Sequence, residues 1–151
     1  MKKYKLVESD KIVVGKYVLY RLEATRSFSN IKKGDLGGYV ENETSLAHDG
    51  DCWIGDDAQV FDGAKVIGDA LVGGDAWVFG RSLVSGNARV SDTVWVSEDA
   101  QVSGNAQVHE NAWILRKSKV SGNAKVGGNA RVSEGAKVGG TTQVSGNTRV
   151  L

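Results

Sequence analysis

Two histidines, His48 and His109, and one cysteine, Cys52, are the side chains of this 151-residue chain best suited to acid–base, nucleophilic or metal chemistry. Imidazole titrates near neutrality and can take a proton from a hydroxyl or an amine. His109, with Glu110 next in sequence, is therefore the candidate catalytic base, placed at a groove between subunits. A zinc site of three converging imidazoles needs one more histidine than the chain has, so no metal is expected. His48 stands beside Asp49 and near Asp51, where a structural role is expected. Cys52 is expected to be buried and inert, and as the only cysteine it cannot close an internal disulfide. A second set of residues is cationic: Arg81, Arg116, Lys117 and Lys119 are the candidate contact for an anion or a partner. A third is aromatic and apolar: Trp77, Trp95, Trp113, Phe61, Phe79 and Leu115 recur at a regular spacing.

That spacing comes from a repeat that must position everything else. From Ile54 to Val150 a Val or Ile occupies every sixth residue without exception, and two residues earlier stands a small side chain, most often Ala. Turn pairs such as Gly86-Asn87, Gly104-Asn105 and Gly122-Asn123 separate the units. A helix face repeats at 3.6 residues, so a period of six with Gly-Asn turns predicts short strands joined by corners. Three units close a triangular coil of 18 residues, with Val inward on each flat side and Ala inward near each corner. Stacked coils pair in parallel at about 4.8 Å per level. The expected fold is all-β: a single-stranded left-handed parallel β-helix, a triangular prism of hexapeptide repeats, over residues 38–151, with a small antiparallel β cap at 1–37. Within the cap, Tyr4–Val7, Lys11–Val14 and Tyr17–Leu22 read as strands, with turn signals at Ser9-Asp10 and Gly15. Val40 and Leu46 keep the six-residue step, but Leu46 to Ile54 spans eight, which predicts a two-residue bulge in the first coil.

Writing the outward positions at the 18-residue spacing separates three faces. One face carries Gln59, Trp77, Trp95, Trp113, Arg131 and Arg149 in one column and Phe61, Phe79 and Leu115 in the next. The other faces become ordinary polar surface after their first coils. Because a contiguous outward apolar patch marks an interface more often than bare surface, the aromatic face is read as a subunit contact. A carbohydrate or another partner using the same aromatics is the alternative. The corners are expected to stack Asn and Thr side chains into ladders.

Composition narrows the remaining choices. The net charge is +1, but residues 1–33 sum to +6, residues 34–75 to −9 and residues 76–151 to +4. The bases are dispersed rather than interleaved with aromatics on one face, so nucleic-acid binding is not expected. The apolar runs near the N-terminus, such as Ile12–Val14, are only a few residues long, so neither a signal peptide nor a membrane span is expected, and a cytoplasmic location is.

The unit Val102-Ser-Gly-Asn-Ala-Gln-Val108 resembles the hexapeptide-repeat superfamily of left-handed β-helices. Leu19-Tyr20-Arg21, Phe28, Gly37-Gly38-Tyr39-Val40 and Gly50-Asp51-Cys52-Trp53-Ile54 make the first 60 residues or so similar to the YdcK-like family of uncharacterised acetyltransferases. The resemblance implies a homotrimer and acetyl-CoA as a co-substrate, and it supplies no catalytic residues to carry over. Three functions compete: an oligomeric scaffold or binding protein joined through the Trp face, a CoA-dependent acyltransferase with its site between subunits, and an end-to-end polymer built on an uncapped last coil.

Overall fold

The computed structural model describes residues 2–151. Strands β1 (Tyr4–Val14) and β2 (Tyr17–Ala24) form an antiparallel hairpin, and β3 (Leu36–Val40) pairs antiparallel with β2. Seventeen two-residue strands follow, from Trp53–Ile54 to Arg149–Val150. They stack into three parallel sheets that are the flat sides of a β-solenoid of about 6 turns. The expected parallel coils and antiparallel N-terminal part are both present. One sequence expectation is corrected: β1 runs unbroken through Ser9 and Asp10, which form a bulge between Val7 and Lys11 rather than a turn. A bulge lets the strand keep its pairing while absorbing extra residues.

Each strand pairs with the one 18 residues on, as Val90 does with Val108 and Val96 with Ile114. The first coil is longer. Val40 pairs with Val60 and Leu46 with Val66, while Ile54 already pairs with Val72, so the two additional residues lie between Leu46 and Ile54, as the eight-residue gap predicts. The inward Val and Ala positions are buried from Ile54 through Val144, forming one continuous core with Phe28 and Tyr4 of the N-terminal part. Burying each Val side chain contributes about 1.5 kcal/mol or more, and the coil spacing lets every level repeat that gain.

Backbone geometry explains the corners. Gly104 has φ +63°, and a Cβ there would stand 2.8 Å from the Gly122 amide nitrogen of the next coil, so both conformation and close approach demand glycine. Two of the three corners use a single residue with positive φ. The corner after the Trp face uses two in succession: Gly80-Arg81, Glu98-Asp99 and Arg116-Lys117 all lie between 54° and 64°. The hydrogen bonding reverses with it. Asn105 N–H donates forward to Gly122 O, whereas Lys117 N–H donates back to Glu98 O. Asn side chains form the expected ladders at the other two corners, with Asn105 Nδ2 3.1 Å from Asn123 Oδ1 and Asn111 Nδ2 3.2 Å from Asn129 Oδ1.

Candidate functional site

The first sheet carries the aromatic column, and its backbone ladder dictates the geometry. Trp77, Trp95 and Trp113 are register partners on successive coils. Their indoles lie parallel, Trp77 and Trp95 with centroids 5.5 Å apart at 9° and Trp95 and Trp113 4.8 Å apart at 3°. That separation is the coil spacing itself. Arg131, next in register, lies over the Trp113 ring at 4.4 Å. At the other end, Tyr39 pairs with Gln59 through the 20-residue first coil, and Arg21 lies over Tyr39 at 4.2 Å. The indole stack is thus closed by a guanidinium at the Arg131 end, while at the other end Gln59 separates Trp77 from the Tyr39–Arg21 pair, each cation contact being worth about 0.5–1 kcal/mol where exposed. The sequence pattern showed Arg131 but hid Tyr39, because the two-residue insertion shifts it off the 18-residue comb.

Stacking fixes what the face can bind. Trp95 has an indole against each of its ring faces, so only ring edges point outward, and a sugar has no open face to lie on. Phe79 stands edge-on to both Trp77 and Trp95, and Leu115 continues its column half-buried. Phe61 departs from the expected outward patch. It is only 5% exposed, packed with Leu19 and Tyr39 and against Tyr17 at 5.4 Å, because the hairpin folds over the first coils of this face. Tyr17 Oη donates to Asp62 Oδ1 at 2.7 Å, which pins the hairpin tip and pushes the phenol up to about 12. Arg21 anchors its base by donating to Gly37 O at 2.8 Å and Tyr39 Oη at 2.7 Å and pairing with Asp10.

The four cations read as an anion contact are divided by the structure. Arg81 pairs with Asp99 at 3.3 Å. Arg116 lies between Glu98 at 3.3 Å and Glu134, with Glu134 the stronger influence in holding its guanidinium charged. Lys117 is next to it, and Arg116, Lys117, Glu98 and Glu134 line a shallow groove of about 440 Å³ with Asp99 and Gly135. Three carboxylates against two bases make that groove unsuited to an anion. Lys119 lies on the third sheet, in register with Gln101 and Lys137 and exposed. The charges missed from sequence are the acidic partners one coil away, which the 18-residue spacing could have exposed.

His109 is on the second sheet, with Nδ1 3.1 Å from Glu110 Oε1. Its ring lies across Gly127, where a Cβ would come within 2.4 Å of His109 Cε1. Ser91 and Ser145 continue the same column of small residues, so the imidazole is the one large side chain in that column. A carboxylate beside an imidazole can orient it for proton transfer. His48 has a structural place, as expected: its ring stacks on Tyr4 at 4.1 Å, and Nδ1 accepts from the Lys3 amide. Cys52 is fully buried. Among the described residues no three His, Cys, Asp or Glu side chains come together to hold a metal ion, and no helix is long and apolar enough to cross a membrane.

Comparison with known proteins gives two matches. The family described as the YdcK β-solenoid repeat matches residues 84–98, which lie in the repeat. The chain is also 37% identical over 76 residues to the uncharacterized acetyltransferase YdcK of Escherichia coli (strain K12), covering 45% of this chain and 23% of that protein. The chain therefore spans less than a quarter of the length of the curated relative it matches. Both matches bear out the resemblance to YdcK-like β-solenoids read from the sequence.

Proposed function

We propose that this chain is an assembly or binding module, a β-solenoid that associates with further copies of itself, as a trimer, through the first face. The observation that carries the reading is the contrast between faces. Trp77, Trp95, Trp113, Phe79 and Leu115 occupy outward positions on one face, whereas the columns of the other two faces carry a single leucine each, Leu71 and Leu83, beside Trp77 and then turn polar with Arg89, Gln107 and Lys125, or Gln101 and Lys119, all exposed. With their faces already stacked, the indoles offer a flat ribbon of edges, which suits a flat protein surface better than a sugar ring. The single buried thiol fits a reducing compartment, and we take the protein to act in the cytoplasm. Light scattering across a concentration series tests the assembly. Trp95→Asp removes the central indole, and Leu115→Glu leaves the stack intact while charging the face; both are expected to give folded monomers. A wild-type chain that is monomeric at every concentration sinks the reading.

A second reading is favoured by the similarity to a protein named as an acetyltransferase and by the His109–Glu110 pair seated over Gly127. In it, His109 acts as general base toward a hydroxyl or amine acceptor, with acetyl-CoA as donor, at a groove between subunits. Titration calorimetry with acetyl-CoA decides it, since absence of heat at millimolar ligand removes this function.

A further inference from the structure

Lys3 is the most unusual side chain in the molecule, a lysine with 0% exposure. Its Nζ donates to Cys52 O at 2.7 Å and Gly50 O at 3.2 Å, and stands 3.4 Å from Cys52 Sγ. It lies 4.9 Å from the centroid of the Phe28 ring, and among the described residues no carboxylate comes within ion-pairing distance of it. A buried ammonium without a counter-ion is costly, and carbonyl oxygens offset only part of that cost. Cys52 is also fully buried and departs from the rule of its own repeat, since the matching small inward position is Ala in Ala58, Ala64, Ala70 and Ala76. Two departures meet here: a sulfur where the repeat asks for a methyl group, and a charged amine aimed at it from the residue just before β1, 49 positions away in the chain.

We propose that Lys3 and Cys52 form an oxidation-dependent covalent staple in which one oxygen atom joins Nζ to Sγ. The co-reactant is dioxygen; the ammonium first gives up one proton to solvent, and the balance is then one thiol plus one neutral amine plus one dioxygen giving the sulfur–oxygen–nitrogen bridge plus one water. The S–H bond, one N–H bond and the O–O bond break; S–O and O–N bonds form. Sulfur and nitrogen each give up two electrons, and dioxygen takes all four. The bridge removes the buried charge and leaves one N–H to donate to Cys52 O. Two single bonds through one oxygen span less than the present 3.4 Å separation, so Nζ and Sγ need only draw together slightly to form the bridge. Asp49 O and Gly50 O, which face Cys52 Sγ and Lys3 Nζ, belong to an exposed segment within the lengthened stretch of the first coil between Leu46 and Ile54. A small oxidant can reach the pair when this segment opens locally. The consequence is regulatory: the staple ties the start of β1 to the solenoid and stiffens the hairpin that covers Phe61.

Intact-mass spectrometry of the whole protein, reduced and then exposed to air or hydrogen peroxide, tests the staple. The expected result is a gain of about 14 Da, one oxygen in and two hydrogens out, reversed by dithiothreitol. Peptide mapping should join the fragments holding Lys3 and Cys52, and the oxidised form should melt several degrees higher, because the link constrains the unfolded chain. Cys52→Ala restores the residue the repeat uses elsewhere, so it should fold and lose the gain; Lys3→Met should yield only sulfur oxides. Gains of about 16 or 32 Da on Cys52 with Lys3 unmodified, or no gain at all, overturn the proposal. So does a 14 Da gain that survives in either variant.

Discussion

The regular coils from Val60 to Val144 and the N-terminal part with the first coil hold buried surface in opposite ways. In the coils, backbone amides pair with the next level and the interior is Val and Ala, whichever side chain stands outward. In the N-terminal part, specific polar side chains do the fastening: Arg21 on Gly37 and Tyr39, Tyr17 on Asp62, Tyr4 Oη on Leu46 O at 2.6 Å, and Lys3 on Cys52. A repeating wall needs no individual contact because each level duplicates its neighbours. A single hairpin laid over that wall has no such redundancy.

Substitutions can break or sharpen this contrast. Val96→Asp places a charge in a wall where Val96 has 0% exposure, so it should cost several kcal/mol, about the whole stability of a domain, and abolish the β signal in circular dichroism. A folded Val96→Asp protein would mean the coils tolerate what the wall picture forbids. Arg21→Ala comes next, at about 2–3 kcal/mol, since it removes several charge-assisted hydrogen bonds at one point. Hydrogen exchange should show β1 and β2 losing protection while the strands at Trp95 and Trp113 keep theirs; uniform loss would merge the two regions into one cooperative unit. Asn105→Ala, in the middle of a corner ladder, should cost about 1 kcal/mol or less, because coils above and below keep their own bonds.

The smallest effect is a pH dependence confined to the N-terminal part. Lys2 first, then His48, hold the Glu43 carboxyl below the usual carboxylate range. A carboxyl depressed in the folded state stabilises it fully above the unfolded value, about 4.3, and that contribution is lost as the pH falls through the folded value. Amide exchange in β1, taken relative to the intrinsic rate at each pH, should therefore quicken on acidification below about pH 4. Glu43→Gln should flatten the profile, and exchange that quickens equally in the coils would assign the effect elsewhere.

The six-residue step made the coils legible, down to the two added residues between Leu46 and Ile54, because each inward position faces the same geometric demand. The Trp column was legible for the same reason. Three things were not. The hairpin's fold over Phe61 depends on Tyr17 and Leu19 meeting a face formed by residues far along the chain. The neutralisation of Arg81 and Arg116 depends on acids one coil away. The burial of Lys3 against Cys52 depends on where the first coil opens.

What the sequence determined by itself is the period, and with it the solenoid, its inner wall and which side chains share a column, since local spacing and backbone pairing leave no other way to bury every sixth Val. What only the tertiary structure decided is how side chains answer one another between levels and across the N-terminal part. A hairpin laid over Phe61 and a lysine sealed against a thiol are products of approach in space, for which chain order carries no local signal.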